Sequence, residues 1–292
     1  MITNLLNDYK VLIENEIDRL YPQNNEVLYK ELIDASRYSL LLGGKRIRPV
    51  IMLEFCKLFG GEIKDVINFA IALEMIHTYS LIHDDLPCMD NDDMRRGKPS
   101  CHVKYGEDIA LLAGDTLLTE SFKIAADSSA EDSLKIKAIS VLAQRAGLHG
   151  MIGGQVMDLS FEKNKPDLDS LRTMYIKKTG CLISAACEIG AIIGGASDEQ
   201  IDIAQNYAVN LGLAFQIIDD ILDITGDEAV LGKPIGSDNE NGKTTYVSIL
   251  GLDEARLVAK KLTDEALNAL SLFDGNTKNL QELTKYLLER NY

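Results

Sequence analysis

The chain is poor in cysteine, proline and positive charge. Its 292 residues include five cysteines and six prolines, and 30 Lys or Arg stand against 45 Asp or Glu. Because the cysteine count is odd and no Cys-x-x-Cys pair occurs, no disulfide framework is predicted, which fits a reducing cytoplasm. The net charge of −15 argues against nucleic acid or an anionic membrane as the main partner.

Long hydrophobic runs are also missing. The most apolar stretch covers residues 181–196 and is interrupted by Glu188, so it is shorter than the roughly 18 residues that a bilayer span requires. The first residues contain neither a basic region nor a long apolar core, so a signal peptide is not expected. We therefore expect a cytoplasmic protein that does not insert into membranes.

Strand–turn–strand patterns are absent, and helical periodicity dominates the sequence. Apolar residues recur at helical spacing through most of the chain, with no linker or low-complexity segment. This pattern predicts one all-α domain over residues 1–292, a single large bundle of roughly ten helices around a central active-site cavity. The predicted helices cover residues 5–17, 32–41, 66–83, 107–126, 132–147, 168–195, 198–222, 254–272 and 280–290.

Two aspartate clusters lie in apolar surroundings. The first contains Asp84, Asp85 and Asp90, and the second contains Asp219 and Asp223. Unit charges 4 Å apart repel by about 1 kcal/mol in water and about 4 kcal/mol near a protein surface, so converging carboxylates imply a bound cation or protonation. Mg²⁺ takes one or two carboxylates and completes its shell with substrate phosphates. The clusters therefore predict magnesium sites that hold a diphosphate, the alternative being helix-terminal acids in solvent.

The spacing within each cluster suits this interpretation. Asp219 and Asp223 are four residues apart and so share one face of a helix. Asp84 and Asp90 are six residues apart, with Pro87 between them. Because the residue before a proline disfavours helical geometry, the helix should end there, and the loop is expected to bring Asp90 back toward Asp84.

Basic residues accompany these clusters. They comprise Lys45 and Arg48 after a glycine pair, Arg95 and Arg96 after the first aspartate cluster, Lys178 before Thr179-Gly180, and Lys233 and Lys243, each after a single glycine. Arginine binds phosphate through two parallel hydrogen bonds, and lysine acts as a point charge. In a chain of net charge −15, this pairing of basic groups with acidic clusters indicates phosphate ligands, whereas each residue taken singly is typical of a protein surface.

Small residues are dense between Gly180 and Cys187. Small side chains allow helices to pack closely, and they also leave space beside a site. Close packing and room for an apolar substrate both stay open as interpretations of this segment.

Taken together, these motifs resemble the short-chain trans-prenyl diphosphate synthases of the bacterial farnesyl diphosphate synthase type. The resemblance covers nearly the whole chain, and the ordered set of motifs is far more specific than any one of them. The set comprises Gly-Gly-Lys-Arg-x-Arg-Pro at 43–49, Ile-His at 76–77, the aspartates at 84–90 with Arg-Arg-Gly-Lys-Pro at 95–99, Gly-Gly-Gln at 153–155, Lys-Thr-Gly at 178–180, Phe-Gln-x-x-Asp-Asp-x-x-Asp at 215–223, Leu-Gly-Lys at 231–233 and Gly-Lys-Thr at 242–244.

The resemblance implies a role for each site residue. The diphosphate of isopentenyl diphosphate is expected to bind four of them, Lys45, Arg48, His77 and Arg96. Mg²⁺, as three ions once substrate is bound, is expected on Asp84, Asp90 and Asp219, with support from Asp85 and Asp223. The allylic diphosphate is expected to contact Arg95, Lys178, Lys233 and Lys243. The catalytic set would be Lys178, Thr179 and Gln216, the last two facing the developing allylic cation.

The activity that the resemblance implies is a Mg²⁺-dependent head-to-tail condensation. Isopentenyl diphosphate would join dimethylallyl or geranyl diphosphate through an allylic carbocation and give farnesyl diphosphate. The family also implies an isoprenoid synthase fold and a homodimer. Tyr79 and Ser80 lie about one helical turn, or about 5.4 Å, before Asp84, where family members place the floor of the cavity. A bulky Tyr79 favours the fifteen-carbon product, with geranylgeranyl diphosphate as the alternative and plain core packing as another role for Tyr79.

Three other functions deserve comparison with this one. A non-catalytic subunit of a prenyl synthase heteromer would be expected to lose acidic or basic site residues, and none is missing here. A metal-dependent diphosphate hydrolase would need a positioned water and a base, which the sequence does not show. A terpene cyclase binds a single diphosphate substrate and would lack the site at Lys45, Arg48 and His77.

Overall fold

Residues 2–225 and 243–288 are described by a computed structural model, in which helix makes up 76% and strand almost nothing. The predicted all-α class is therefore confirmed. The helices are α1 (Ile2–Leu20), α2 (Lys30–Leu41), α3 (Ile47–Leu58), α4 (Ile63–Asp84), α5 (Cys101–Tyr105), α6 (Glu107–Ala126), α7 (Asp132–Ala146), α8 (Met151–Phe161), α9 (Leu168–Tyr175), α10 (Cys181–Gly194), α11 (Asp198–Thr225), α12 (Tyr246–Leu250), α13 (Leu252–Leu270) and α14 (Lys278–Leu288).

Four helices and one π-helical turn differ from the prediction, and two of these helices, α5 and α12, are only five residues long. Helix α3 was not predicted, because its residues from Pro49 to Cys56 are all buried and show no amphipathic stripe. Helix α8 was not predicted either, since it is short and contains adjacent glycines. Residues 168–195 were predicted as one helix, but a π-helical turn at Ile176–Gly180 separates α9 from α10.

A small hairpin follows the first aspartate cluster. Strands β1 (Met94–Arg95) and β2 (Lys98–Pro99) are antiparallel, with Met94 opposite Pro99. Between them Arg96 and Gly97 both have positive φ, 53° and 73°, as a two-residue hairpin turn of the mirror-image type requires. The Tyr38 hydroxyl donates a hydrogen bond to the Pro99 carbonyl oxygen at 2.8 Å, so the hairpin is fastened to α2.

Helix α10 lies at the centre of the bundle. All of its residues are buried, and α3, α4, α7 and α11 pack around it. Helix α4 is also largely buried and, within the described ranges, it alone has the length and apolar composition of a membrane span. Its most apolar window is 78% buried inside the protein, which is the condition of a core helix.

Glycines let α10 approach α3 closely. A Cβ atom on Gly190 would lie 2.4 Å from the Met52 carbonyl oxygen, and one on Gly194 would lie 2.7 Å from that of Cys56. At these separations the two backbones touch, so any larger side chain would push the helices apart. The neighbouring small-residue segment from Gly180 to Cys187 is buried in the same way, which supports the packing interpretation.

Replacing Gly190 with alanine should destabilise the bundle, because its Cβ atom has no room against the α3 backbone. Overpacking of this kind costs about 1–3 kcal/mol, and each kcal/mol lowers the melting temperature by about 2–4 °C in a protein of similar size. Thermal unfolding followed by circular dichroism measures the loss. Gly180→Ala is the matched control, since its new Cβ would make only an ordinary contact, 3.7 Å from the Tyr175 carbonyl oxygen. Equal melting temperatures for the two variants would contradict the argument.

Candidate active site

The π-helical turn at Ile176–Gly180 is wedged between α8 and α11. A Cβ atom on Gly154 of α8 would lie 2.2 Å from the Lys178 nitrogen, and one on Gly212 of α11 would lie 2.9 Å from the Gly180 Cα. Only glycine at both places allows the turn to sit so close to its neighbours. Single π turns inserted in helices are frequent at functional sites, and this one presents Lys178 and Thr179 to two cavities.

The larger cavity has a volume of about 600 Å³. Arg48, His77 and Asp84 contribute to its wall together with Lys178 and Thr179. The remainder is largely apolar and includes Met89, Leu118, Met151, Ile152, Val156, Leu159 and Leu182. A charged end and an apolar body suit a ligand that has both an anionic head and a hydrocarbon chain.

The smaller cavity shares Lys178 and Thr179 with the larger one and has a volume of about 130 Å³. Its wall is more polar and includes Asp158, Glu162, Gln216, Asp220, Lys243, Thr244 and Thr245. The Thr179 hydroxyl donates a hydrogen bond to Gln216 Oε1 at 3.0 Å. The predicted catalytic set of Lys178, Thr179 and Gln216 is thus brought together by the fold.

The first aspartate cluster folds back on itself as expected. Helix α4 ends at Asp84, and the Asp90 backbone nitrogen donates a hydrogen bond to the Asp84 carbonyl oxygen at 2.9 Å. The Asp84 carboxylate accepts a hydrogen bond from Gln155 and lies 3.9 Å from Lys178 Nζ. Burial raises the pKa of Asp84 to about 6, although the Lys178 ammonium acts in the opposite direction. A buried carboxylate whose pKa is raised in this way is typical of a functional site.

Asp85 and Arg95 pair with each other. The Arg95 guanidinium donates from Nε to both oxygens of the buried Asp85 carboxylate, at 3.0 and 3.2 Å. Both residues line a small recess beside Arg96, separate from the two larger cavities. Their predicted roles at the metal and at the allylic diphosphate remain predictions, and in this conformation each neutralises the other.

Cations gather at one end of the larger cavity. Arg48 and His77 lie in its wall, and Arg96 is held nearby by a hydrogen bond to the Gly43 carbonyl oxygen. A Cβ atom on Gly44 would lie 2.8 Å from the Arg96 guanidinium. The absence of a side chain in the glycine pair therefore leaves room for this arginine. Lys45 is exposed, with its Nζ 5.7 Å from the centre of the Tyr286 ring.

The electrostatics of this cluster favour an anion. Burial lowers the pKa of His77 well below its ordinary value, and the Arg48 and Arg96 guanidinium groups lower it further, so the imidazole is neutral. Burial also lowers the pKa of Arg48 and of Arg96. Among the described residues, the buried Arg48 Nε has no hydrogen-bond partner. Crowded cations with an unsatisfied buried donor suit a multiply charged ligand such as a diphosphate.

Arg46, two residues before Arg48, has a structural role. Arg46 is buried, and its Nη1 lies 2.7 Å from Glu74 of α4 while Nη2 donates to the Leu40 carbonyl oxygen. Removing one partner of such a buried pair typically costs about 3–5 kcal/mol. Within one short motif, therefore, Arg46 ties α2, α3 and α4 together and Arg48 is left to face the cavity.

The second aspartate cluster lies near the C-terminus of α11. Asp223 is buried and Asp219 half-buried, while Oδ2 of Asp220 accepts hydrogen bonds from the Tyr175 hydroxyl and the Tyr246 backbone nitrogen. Lys243 lines the smaller cavity, whereas Lys233 lies outside the described residues. Within residues 2–225 and 243–288, no three His, Cys, Asp or Glu side chains form a ready-made metal site. The separated aspartates fit Mg²⁺ whose remaining ligands are phosphate oxygens.

One site residue went unnoticed in the sequence. Asp158 of α8 forms an ion pair with Lys178 and lines the smaller cavity. It follows Gln155 by three residues, so both lie on one face of α8, and Gln155 itself reaches Asp84. Helical spacing from the Gly153-Gly154-Gln155 motif could have identified it.

A sequence profile described as polyprenyl synthetase matches residues 29–285. The chain belongs to the polyprenyl synthetase family. It is a prenyltransferase of the trans-prenyl diphosphate synthase type, so the predicted resemblance is confirmed.

Two relatives show how the family divides. The chain is 43% identical to a geranylgeranyl diphosphate synthase of Cyanophora paradoxa over 289 residues, which cover 98% of this chain and 95% of the relative. It is 44% identical to the farnesyl diphosphate synthase of Escherichia coli strain K12 over 267 residues, which cover 89% of both chains. Overall similarity therefore leaves the product length open.

Solved structures share the fold. A geranylgeranyl pyrophosphate synthetase from Pyrococcus horikoshii Ot3 matches with a TM-score of 0.91 at 31% identity, covering 99% of this chain and 98% of the other. A geranyltransferase from Helicobacter pylori, complexed with magnesium and isoprenyl diphosphate, matches with a TM-score of 0.81 at 35% identity, covering 96% of each chain. The predicted isoprenoid synthase bundle is confirmed by these matches.

Replacing Asp84 with asparagine should stabilise the protein in the absence of Mg²⁺ at pH 7. The folded state raises the pKa of this carboxyl from 3.8 to about 6, so folding disfavours the ionised form above pH 6. The difference corresponds to at most about 3 kcal/mol, and the attraction of Lys178 is already included in this pKa. Urea unfolding at several pH values gives the free energies. The gain should shrink as the pH falls from 7 to 5, because the wild-type carboxyl then binds its proton in the folded state.

An exposed aspartate supplies the control. Asp127 pairs with Lys123 on the surface of α6, and Asp127→Asn should change the free energy of unfolding by no more than about 0.5 kcal/mol. The electrostatic argument would be wrong if Asp84→Asn were less stable than the wild type at pH 7. It would also be wrong if the stability of Asp84→Asn relative to the wild type increased as the pH fell.

Proposed function

We propose that this enzyme condenses isopentenyl diphosphate with dimethylallyl and then geranyl diphosphate, head to tail, to give farnesyl diphosphate. The observation that carries the proposal is the junction at Lys178 and Thr179. There an apolar cavity of about 600 Å³ with Arg48, His77 and Asp84 in its wall meets a smaller cavity that is lined by Gln216 and Asp220 of the second aspartate motif. The charged side chains there are complementary to a diphosphate group, and the apolar side chains are complementary to a prenyl chain.

The two substrates use different ends of the site. Isopentenyl diphosphate binds the cation cluster of Lys45, Arg48, His77 and Arg96, where the neutral His77 can donate one hydrogen bond. The allylic diphosphate lies between the aspartate motifs, with contacts from Lys178, Lys243, Lys233 and Arg95. Mg²⁺ is held by Asp84, Asp90 and Asp219, with Asp85 and Asp223 in support and three ions in the loaded enzyme. The magnesium and isoprenyl diphosphate of the Helicobacter pylori structure support this assignment.

The reaction follows from these positions. Bound Mg²⁺ supplies positive charge that stabilises the diphosphate as a leaving group. While the allylic C–O bond breaks, the Lys178 ammonium also stabilises the negative charge on the diphosphate. The oxygens of Thr179 and Gln216 face the positive carbon. The double bond of isopentenyl diphosphate then forms the new C–C bond, and the proton it loses passes to the released diphosphate. Apolar side chains such as Leu182 and Met151 keep water away from the carbocation.

Tyr79 sets the product length in this proposal. Its ring is 5% exposed, lies in the wall of the larger cavity and meets the His83 ring edge-on at 5.7 Å. The His83 ring is seated against Gly114, where a Cβ atom would lie 2.1 Å from Nε2. His83, which contacts α6, thus supports the Tyr79 ring. A side chain that stops a growing prenyl chain needs such support. Ser80 is small and also lines the cavity, and a chain that passes it would give geranylgeranyl diphosphate, the second candidate product.

The assembly is proposed to be a homodimer in the cytoplasm, with residues 1–292 as one domain. Exposed apolar side chains on α6, among them Leu111 and Leu112, support a second copy at that helix. The five cysteines are all free thiols, as a reducing compartment requires.

Product analysis tests the proposed function. The purified chain is incubated with Mg²⁺, labelled isopentenyl diphosphate and each allylic diphosphate, and the products are sized. Farnesyl diphosphate should accumulate, chelation should abolish turnover, and Asp84→Ala or Asp219→Ala should lower the rate by orders of magnitude with an unchanged helical spectrum. Arg48→Ala should raise KM for isopentenyl diphosphate, and Lys178→Ala should impair the allylic substrate, each by roughly ten- to a hundredfold.

Lys123→Ala on the exposed face of α6 is the charge-matched control and should leave both KM values unchanged. Several outcomes would reject the proposal. Full activity in excess chelator would exclude the metal role, and diphosphate release without chain growth would indicate a hydrolase. A folded protein that turns over none of the allylic substrates would indicate a non-catalytic subunit.

Changing Tyr79 to alanine should lengthen the product to twenty carbons or more, because the floor of the cavity is removed. Liquid chromatography of the dephosphorylated products measures the distribution. Tyr9→Ala makes a comparable loss of a buried tyrosine on α1, outside both cavities, and should leave the product length unchanged. If Tyr79→Ala were active and still stopped at fifteen carbons, Tyr79 would not be the floor.

A further inference from the structure

Asp220 joins three segments of the chain that line the smaller cavity. Its Oδ2 atom accepts a hydrogen bond from the Tyr175 hydroxyl at 2.8 Å and another from the Tyr246 backbone nitrogen at 3.0 Å. Tyr175 is the last residue of α9, directly before the π turn that carries Lys178 and Thr179. Tyr246 begins α12, directly after Thr245. One carboxylate oxygen therefore connects the π turn, the second aspartate motif and the segment at 243–245.

The surroundings of this oxygen make the connection rigid. Asp220, Tyr175 and Tyr246 are 3%, 6% and 3% exposed, and the two tyrosine rings lie 5.6 Å apart at an angle of 31°. The Thr245 side chain accepts a hydrogen bond from the Ser248 nitrogen, and the Ser248 side chain accepts one from the Thr245 nitrogen. Residues 245 and 246 are consequently fixed as a unit, and Lys243 and Thr244 precede that unit in the wall of the cavity.

We propose that Asp220 and Tyr175 are positioning residues, which hold the backbone at Tyr246 and thereby keep Lys243, Thr244 and Thr245 against the allylic half of the site. Asp220 differs in this from its neighbour Asp219, which is assigned to metal. Its Oδ2 is directed at a hydroxyl and a backbone N–H, both of which are donors within the protein. The inference rests on the proposed function, because it takes the smaller cavity as the place of the allylic diphosphate.

Removing only the Tyr175 hydroxyl gives the sharpest test. Tyr175→Phe should raise KM for the allylic diphosphate about tenfold and change KM for isopentenyl diphosphate less than twofold, since the cation cluster does not touch this region. Tyr207→Phe is the matched control: it also removes a buried hydroxyl, one 2.8 Å from Thr284 Oγ1, on the same helix α11 as Asp220. It should lower the melting temperature and leave both KM values unchanged.

Changing Asp220 itself separates positioning from metal binding. The amide oxygen of Asp220→Asn can accept both hydrogen bonds, so this variant should keep most of the activity and an unchanged Mg²⁺ requirement. Asp220→Ala cannot accept either bond and should lose affinity for the allylic diphosphate. If Asp220→Asn were as damaged as Asp220→Ala and needed more Mg²⁺, Asp220 would be a metal ligand and the proposal would be overturned.

Hydrogen exchange of the full-length protein provides a readout that does not depend on activity. Without substrate or Mg²⁺, backbone amides in residues 243–250 should exchange faster in Tyr175→Phe and Asp220→Ala than in the wild type, and not in Tyr207→Phe. Unchanged exchange in both variants would overturn the proposal, even where Asp220→Ala folded poorly, because Tyr175→Phe is the milder change. If the wild type formed no prenyl product, the proposed function would fail while faster exchange still supported the connection.

Discussion

The close approach of two helices, α8 and α11, to one π turn governs this candidate site. Gly154 and Gly212 leave no side chain between α8, α11 and the turn at Ile176–Gly180, so backbone meets backbone there. That contact places Lys178 within reach of Asp158 on α8 and Asp84 on α4. A bulkier residue at either glycine would separate the aspartate motifs from the lysine that lies beside them. The geometry of the candidate site thus depends on steric contact as much as on charge.

Charge is the second constraint, and it is handled differently at the two ends of the cavity. At the acidic end Asp84 and Lys178 partly offset each other, and Asp158 completes the pairing. At the basic end Arg48 and Arg96 face the neutral His77, and Arg48 Nε, which has no hydrogen-bond partner within the described ranges, is a donor for a ligand. In both places the arrangement of the protein's own charges is unfavourable. A diphosphate with divalent cations is the kind of ligand that would relieve both.

Much of the fold and of the candidate site could be predicted from the sequence, because the relevant signals lie within short segments. Helical periodicity gave the all-α class, and Pro87 between Asp84 and Asp90 gave the returning loop that the backbone hydrogen bond confirms. Other features had no local signal. Helix α3 is apolar on all sides, the Arg96-Gly97 turn carries a non-glycine residue at positive φ, and the partner of Lys178 lies 20 residues away on another helix.

The sequence by itself determined the fold class, the family and the chemical identity of the groups, because periodicity, spacing and side-chain type are properties of short segments. It also placed Tyr79 and Ser80 one turn before the aspartates. Only the tertiary structure decided which charges face the cavity and which pair elsewhere. Arg46 and Arg48 are two residues apart, yet one is buried against Glu74 and the other lines the cavity. Asp84 and Asp85 are adjacent, yet one faces Lys178 and the other Arg95. The direction of a side chain on a helix is fixed by the backbone, but its partner is set by which helices pack beside it.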